Sequence, residues 1–163
     1  IEVIHMKKII IISVILIISL LGILFYKNYT PKEQISDLDL YYGETVEDIS
    51  AKYPIVQDND KYKILKDITI ADCKADKEIY ATFTNNKLSS ICIFFPAENN
   101  PDDTSDKFSK IYYYAINKFG TPTKKYQDYT IAQYTWEQNN NSIILSFRNN
   151  VATLMFYNNK LSN

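Results

Sequence analysis

Hydrophobic and polar positions divide the chain into an apolar amino-terminal run and a longer patterned region. Residues 9–26 carry no charged side chain, and Lys7 and Lys8 directly precede them. A helix of this length rises about 27 Å, close to the hydrocarbon thickness of a bilayer. Because positive residues favour the cytoplasmic side, the run predicts a transmembrane signal anchor with residues 1–8 as a short cytoplasmic end.

Two other interpretations of the apolar run stay open. A secretory signal peptide begins in the same way but is cleaved after small residues, which residues 24–29 do not offer. A helix buried in a soluble domain is the third interpretation. Under the anchor prediction, the protein is a single-pass cell-membrane protein. A polar tether of residues 27–40 then joins the anchor to an extracytoplasmic α+β domain of residues 41–163.

Beyond residue 40, helical and strand patterns alternate. A short helix is predicted after Gly43, where Thr45 can cap it, and it ends before Pro54. A longer helix is predicted over residues 104–119, where apolar positions recur at helical spacing and Gly120 follows. β-Branched and aromatic residues at period two predict six strands. They cover residues 64–71, 79–84, 88–95, 131–137, 142–148 and 151–157.

The two halves of this region repeat one pattern, a helix followed by three strands. The hairpins at residues 81–95 and 145–157 both contain Phe, one further residue and an Asn pair. Asn adopts the left-handed conformation of tight hairpin turns more readily than most residues. The predicted fold class is α+β, with an N-terminal transmembrane helix followed by a tandem α-β-β-β domain that has one antiparallel sheet and both helices on one face. The repeats are expected at about residues 41–96 and 104–160.

Short motifs of the second repeat resemble those of a known group of proteins. The sequence FGTP at residues 119–122, then YTW at residues 134–136 and IILSF at residues 143–147, resembles the repeat unit of BLIP-like and SmpA/OmlA-like envelope proteins. The resemblance covers roughly residues 43–163. It implies a sheet face that binds a protein partner, either as an inhibitor or as an assembly component. The chain differs from the SmpA/OmlA pattern in having an apolar run where those proteins carry a lipidated Cys.

Composition argues against most catalytic and nucleic-acid-binding classes. The 18 basic and 19 acidic residues give a net charge of −1, which provides no basic footprint for nucleic acid. His5 is the only histidine and precedes the apolar run, so the domain has no imidazole for a catalytic triad or a zinc site. No metal or cofactor is expected. The acidic residues around the middle loop lack the spacing of a calcium-binding EF-hand. They are Glu98, Asp102, Asp103 and Asp106.

Cys73 and Cys92 are the only cysteines in the chain. Outside the cytoplasm, two thiols favour a disulfide, so the pair is a candidate disulfide. Two buried free thiols are an equal alternative. A reactive Cys normally needs a cationic or His neighbour, and the chain has no Cys-x-x-Cys motif, which argues against a redox role.

Four aromatic residues form the candidate partner-binding site. Tyr134 and Trp136 share one face of a strand by alternation, and Tyr80 and Phe94 are expected on the corresponding face of the first repeat. If the helices cover the other face, these rings form an exposed patch of the kind found at protein interfaces. The alternative is that Trp136 belongs to the core.

The sequence therefore predicts a non-enzymatic bacterial protein-binding domain, with an immunity or inhibitor protein as one concrete form. An assembly or regulatory subunit of an envelope complex is the first alternative. The second is a small envelope hydrolase that depends on Ser or on carboxylates such as Asp72, Asp76, Glu78 or Glu137. The expected partners are the membrane, through residues 9–26, and another protein on the outer side, with no nucleic acid.

Overall fold

The computed structural model describes Ser19 and residues 32–58, 61–97 and 101–162. The chain divides into two compact units, residues 1–32 and residues 33–163, and the account below concerns the second. The predicted anchor at residues 9–26 lies outside the described residues, apart from Ser19. In the described part of the chain, no helix is both long enough and apolar enough to cross a bilayer.

The described residues of the second unit form two helices and a large antiparallel sheet. The helices are α1 (Val46–Ser50) and α2 (Pro101–Phe119). The strands are β1 (Ile55–Asp58), β2 (Lys61–Leu65), β3 (Thr69–Ile70), β4 (Cys73–Lys74), β5 (Glu78–Thr84), β6 (Lys87–Pro96), β7 (Lys124–Gln127), β8 (Ile131–Gln138), β9 (Asn141–Arg148) and β10 (Val151–Asn158). Eight strands form one sheet in the order β1-β2-β5-β6-β10-β9-β8-β7, and β3 pairs with β4 in a small second sheet.

The predicted fold class is wrong. The described chain is mostly antiparallel β-sheet, each helix is followed by four strands of the main sheet rather than three, and no described helix could span a membrane. The strands that the prediction missed, β1 and β7, are the two sheet edges. Their side chains are largely exposed on both faces, so apolar alternation does not mark them.

The strand predicted over residues 64–71 is also interrupted. Strand β2 ends at Leu65, and β3 begins only at Thr69. Ala71 and Asp72 then adopt positive φ angles of 51° and 61°, so the chain turns back at once into β4. The apolar residues of this stretch therefore belong to two different sheets.

Residues 33–40, placed in the tether by the sequence analysis, belong to the compact unit instead. Ile35, Leu38 and Leu40 are buried, and the Ile35 backbone N–H donates to the Leu40 carbonyl at 2.8 Å. The side chain of Asp37 forms an ion pair with Lys118 of α2. The burial of Ile35, Leu38 and Leu40 contributes apolar contacts that a flexible tether would not make.

The core lies between the helices and one face of the sheet. Ile111 and Ala115 of α2 are fully buried, and Ile49 of α1 joins the same apolar cluster. Thr45 caps α1 through a reciprocal pair of hydrogen bonds with Asp48, both 3.1 Å long. The sheet contributes buried residues at alternating positions: Ile64, Ile79, Ile91, Ile93, Phe95, Trp136, Ile143, Leu145, Leu154 and Phe156.

Asn pairs form the turns of two central hairpins, as the sequence predicted. Asn85 and Asn86 connect β5 to β6, and Asn149 and Asn150 connect β9 to β10. All four residues have φ between 51° and 59°, the left-handed conformation that a two-residue hairpin turn requires. These turns fix the register of the two hairpins that meet at the centre of the sheet.

Candidate functional site

The sheet face that points away from α2 carries a continuous row of half-buried apolar side chains. Tyr80, Cys92, Met155 and Ile144 are direct cross-strand partners on β5, β6, β10 and β9. Phe94 and Tyr157 lie at alternate positions of β6 and β10, so they share this face. We refer to this face as the open face. The open-face cluster consists of Tyr80, Cys92, Phe94, Ile144, Met155 and Tyr157.

Contacts inside the open-face cluster run between neighbouring strands. The Tyr80 and Phe94 rings meet edge to face, with centroids 5.3 Å apart and an interplanar angle of 76°. The Tyr157 hydroxyl lies 3.9 Å from the Met155 sulfur. The ring contacts of α2 instead reach Tyr134, Trp136, Phe147 and Phe156, which belong to the other face. Among the described residues, the cluster is therefore shielded mainly by its own sheet neighbours.

Ion pairs border the open-face cluster on both sides. Lys63 of β2 contacts Glu78 of β5 at 2.9 Å, and this hydrogen bond raises the pKa of Lys63. Lys124 of β7 contacts Glu137 of β8 at 2.6 Å. The Lys63 ammonium also lies 5.3 Å from the centroid of the Tyr80 ring. Each of these two cations is paired with a carboxylate of a neighbouring strand.

The structure separates the four predicted aromatic residues onto two faces. Tyr80 and Phe94 lie on the open face. Trp136 is only 1% exposed, and its indole N–H donates to the Gly120 carbonyl at 2.7 Å. Tyr134 lies on the same side as Trp136, packed under α2. The four rings therefore do not form one patch, and Trp136 is a core residue.

The mistaken assignment has a topological reason. Counting inward from the two edges, β8 is the second strand and so corresponds to β2, not to β5 or β6. The β2 residue Ile64, like Trp136, is buried in the core. Tyr134 and Trp136 therefore lie on a strand that is not equivalent to the strands of Tyr80 and Phe94. Side chains of non-equivalent strands need not lie on the same face of the sheet.

The candidate disulfide between Cys73 and Cys92 is absent, because both thiols are free. Cys73 is buried beside α2, with its sulfur 3.9 Å from the Lys107 carbonyl. Cys92 lies on the open face of β6, so the two side chains occupy opposite sides of the fold. Burial raises the pKa of Cys73, and it raises the pKa of Cys92 to about 12. Neither environment favours a reactive thiolate.

We expect the folded chain to resist alkylation at Cys92. Because pH 8 is far below the raised pKa of Cys92, almost none of its thiol is present as the reactive thiolate. Iodoacetamide should therefore modify Cys92 at least about 100-fold more slowly than in the urea-unfolded chain. Peptide mass spectrometry of timed samples would measure both cysteines separately. Unfolding without reductant should release two alkylatable thiols. Rapid modification of Cys92 in the folded chain, or a cysteine pair that needs reduction first, would contradict the structure.

Two of the carboxylates proposed for a hydrolase lie too far apart to form a catalytic pair. Glu78 and Glu137 lie on β5 and β8, four strand positions apart, which corresponds to about 19 Å. Catalytic carboxylate pairs of glycosidases lie roughly 5 to 10 Å apart. Asp72 and Asp76 are exposed beside β4. In the part of the chain that the structure describes, no three His, Cys, Asp or Glu residues are grouped to hold a metal ion.

Comparison with known proteins identifies no relative. No known protein family, curated protein or solved structure matches this chain. The resemblance to BLIP-like and SmpA/OmlA-like envelope proteins therefore stays a prediction. A broad, apolar sheet face is suited to contact another macromolecule rather than to enclose a small substrate.

Four members of the open-face cluster were not identified from the sequence as binding residues. Ile144, Met155 and Tyr157 were assigned to strands without a face, and Cys92 was considered only as a disulfide partner. Alternation along β10 places Met155 on the face opposite to that of the buried Leu154 and Phe156, and this alternation is visible in the sequence. No sequence pattern indicated that β10 lies beside β6. This pairing joins the two hairpins into one surface.

Proposed function

We propose that this chain is a non-enzymatic protein-binding domain that contacts its partner through the open-face cluster. The observation that carries the proposal is the apolar row from Tyr80 to Ile144, which extends across four adjacent strands, about 14 Å. Large contiguous apolar patches on a protein surface often mark sites of interaction with other proteins. An inhibitor or immunity protein, or a subunit of an envelope complex, would use the surface in the same way.

The charges on this face indicate the chemistry of the partner. Lys63 and Lys124 are each paired with a carboxylate of the same face, so neither cation is left to bind phosphate or an acidic peptide. Tyr80, Phe94 and Tyr157 are of the residue types that dominate the energetics of protein interfaces. The matching occupant is a protein that presents an uncharged apolar protrusion at its contact surface.

Site-specific photo-crosslinking tests this proposal in cells that express the full chain. A photoreactive phenylalanine at position 80 should crosslink to one partner protein. The same residue at position 113 serves as the matched control, because Tyr113 is 66% exposed on α2, away from the open face. Equal crosslinking at both positions would contradict the proposal. Crosslinks found only to a second copy or within the chain itself would replace the partner with self-contact.

Binding of the purified partner provides the quantitative test. Phe94→Ala should weaken the affinity by about 30-fold, as expected for an aromatic anchor worth 2 kcal/mol, while Tyr113→Ala should leave it unchanged. Because the proposed contact is uncharged, the Kd should change less than about threefold between roughly 0.05 and 0.5 M salt. An unaltered affinity for Phe94→Ala, or a steep loss of binding with salt, would reject the open-face cluster as the contact.

A further inference from the structure

A cleft of about 160 Å³ lies on the α2 side of the sheet, remote from the open face. Residues 33–36 pass over it, and the end of α2 and the β8–β9 turn form its other walls. Its floor is apolar, since Ile35, Ile143 and Phe156 are 1%, 4% and 2% exposed. A volume of about 150 Å³ is large enough for a molecule the size of benzene.

The polar rim of this cleft presents two hydrogen-bond acceptors that no group in the described part of the chain uses. The Gln138 side-chain amide donates to the Phe119 carbonyl at 3.1 Å, and the Asn141 amide donates to Glu33 Oε1 at 2.5 Å. One N–H of each amide is thus directed to a protein oxygen, and the second N–H of each remains a donor. Within the described residues, the Gln138 side-chain oxygen and Glu33 Oε2 make no hydrogen bond, so both can accept one from a ligand.

Tyr42 adds a polar group to the same cleft. Its side chain lines the cleft and is only 5% exposed, and no hydrogen bond reaches its hydroxyl from any residue that the structure describes. Burial and the negative charge of Glu33 raise the pKa of this hydroxyl, which therefore stays neutral. Solvent reaches this hydroxyl, since among the described side chains only Thr104 Oγ1 is both buried and without a hydrogen-bond partner.

The electrostatic field at the cleft favours a cation. Helix α2 ends there at Phe119, so the negative end of a 19-residue helix points towards the site. The Glu33 carboxylate adds a full negative charge. The nearby cation Lys118 is already paired with Asp37 and does not offset that charge. Aromatic rings in the wall also favour organic cations over metal ions.

We propose that this cleft binds a small organic cation, a primary ammonium group carried by an apolar body of about benzene size. The ammonium is held by the Glu33 carboxylate and the Gln138 oxygen, and the body packs on Ile35, Ile143 and Phe156. This chemistry has two sources, a free amine or a lysine side chain of another protein. The site is separate from the open face and does not depend on the protein-binding proposal.

Titrations of the purified full chain with benzylamine, followed by amide NMR, test this inference. The resonances of Gln138 and Asn141 should shift, and benzyl alcohol, which has the same ring without the charge, should bind at least tenfold more weakly. Glu33→Gln should lower the benzylamine affinity at least tenfold without changing the melting temperature by more than a few degrees. Glu47→Gln, at an exposed carboxylate on α1, should leave binding unchanged.

Nα-acetyl-lysine methylamide distinguishes the two sources of the ammonium group. Tighter binding of this probe than of benzylamine assigns the cleft to a lysine side chain, and the reverse order assigns it to a free amine. Equal binding of benzylamine and benzyl alcohol, an unchanged affinity in Glu33→Gln, or no shift at Gln138 with either amine would overturn the inference. Such a result would leave partner crosslinking at position 80 unaffected, so the two proposals fail separately.

Discussion

Replacing Trp136 by alanine is expected to lower the free energy of unfolding by about 3–5 kcal/mol. The indole is 1% exposed, its N–H donates to the Gly120 carbonyl at 2.7 Å, and its ring lies 6.4 Å from the centroids of both Tyr112 and Phe119. Alanine would leave a large cavity under α2 and an unpaired carbonyl at the helix end. For a domain stable by roughly 5–15 kcal/mol, this is a large share.

Urea denaturation monitored by far-UV circular dichroism would measure this loss, since Trp136 is the only tryptophan and its removal eliminates the tryptophan fluorescence. Trp136→Phe keeps an aromatic ring and loses the hydrogen bond to Gly120, so it should cost about 1–2 kcal/mol. Tyr113→Ala, at a side chain that is 66% exposed, should stay within about 0.5 kcal/mol of the wild type. A loss below about 1 kcal/mol for Trp136→Ala would place the indole outside the core.

The position of Trp136 illustrates what alternation predicts and what it leaves undecided. The strand boundaries of β5, β6, β8, β9 and β10 agree with the sequence prediction within one residue at each end. The alternation of side chains along a strand also predicted that Tyr134 and Trp136 share a face. It did not say which face α2 covers, because that depends on the order of strands across the whole sheet.

The edges of the sheet were beyond sequence analysis for a different reason. Strand β7 has four exposed residues, and β1 has three exposed residues after Ile55. A strand that is solvated on both faces needs no apolar alternation, and charged residues at an edge discourage pairing with other chains. The predicted three-strand repeat therefore lost one strand in each half.

The open-face cluster results from a non-local contact. Strands β6 and β10 lie at the ends of the two halves in sequence, yet they pair antiparallel at the centre of the sheet, with Cys92 opposite Met155. Each hairpin is fixed locally by its Asn turn, but no local pattern determines that the two hairpins join through these strands. Two of the six residues of the candidate site were therefore predicted: Tyr80 and Phe94 were identified, and the residues that extend their patch were not.

Adjacent residues on β6 offer the sharpest test of the face assignment on which the proposed function rests. Phe95 is 0% exposed and pairs with the equally buried Ala152, whereas Phe94 is half-buried on the open face opposite Thr153. Phe95→Ala should lower the free energy of unfolding by about 3–5 kcal/mol. Phe94→Ala should cost no more than about 1.5 kcal/mol, since part of its ring already faces solvent.

Urea denaturation of both variants under identical conditions would measure the difference. The comparison is matched, because the two substitutions remove the same atoms from neighbouring positions of one strand. If Phe94→Ala were as destabilising as Phe95→Ala, the open face would be packed against another element and could not receive a partner without rearrangement. A difference of about 2 kcal/mol or more instead means that Phe94→Ala stays folded, so any binding it loses reports contact with the partner rather than loss of the fold.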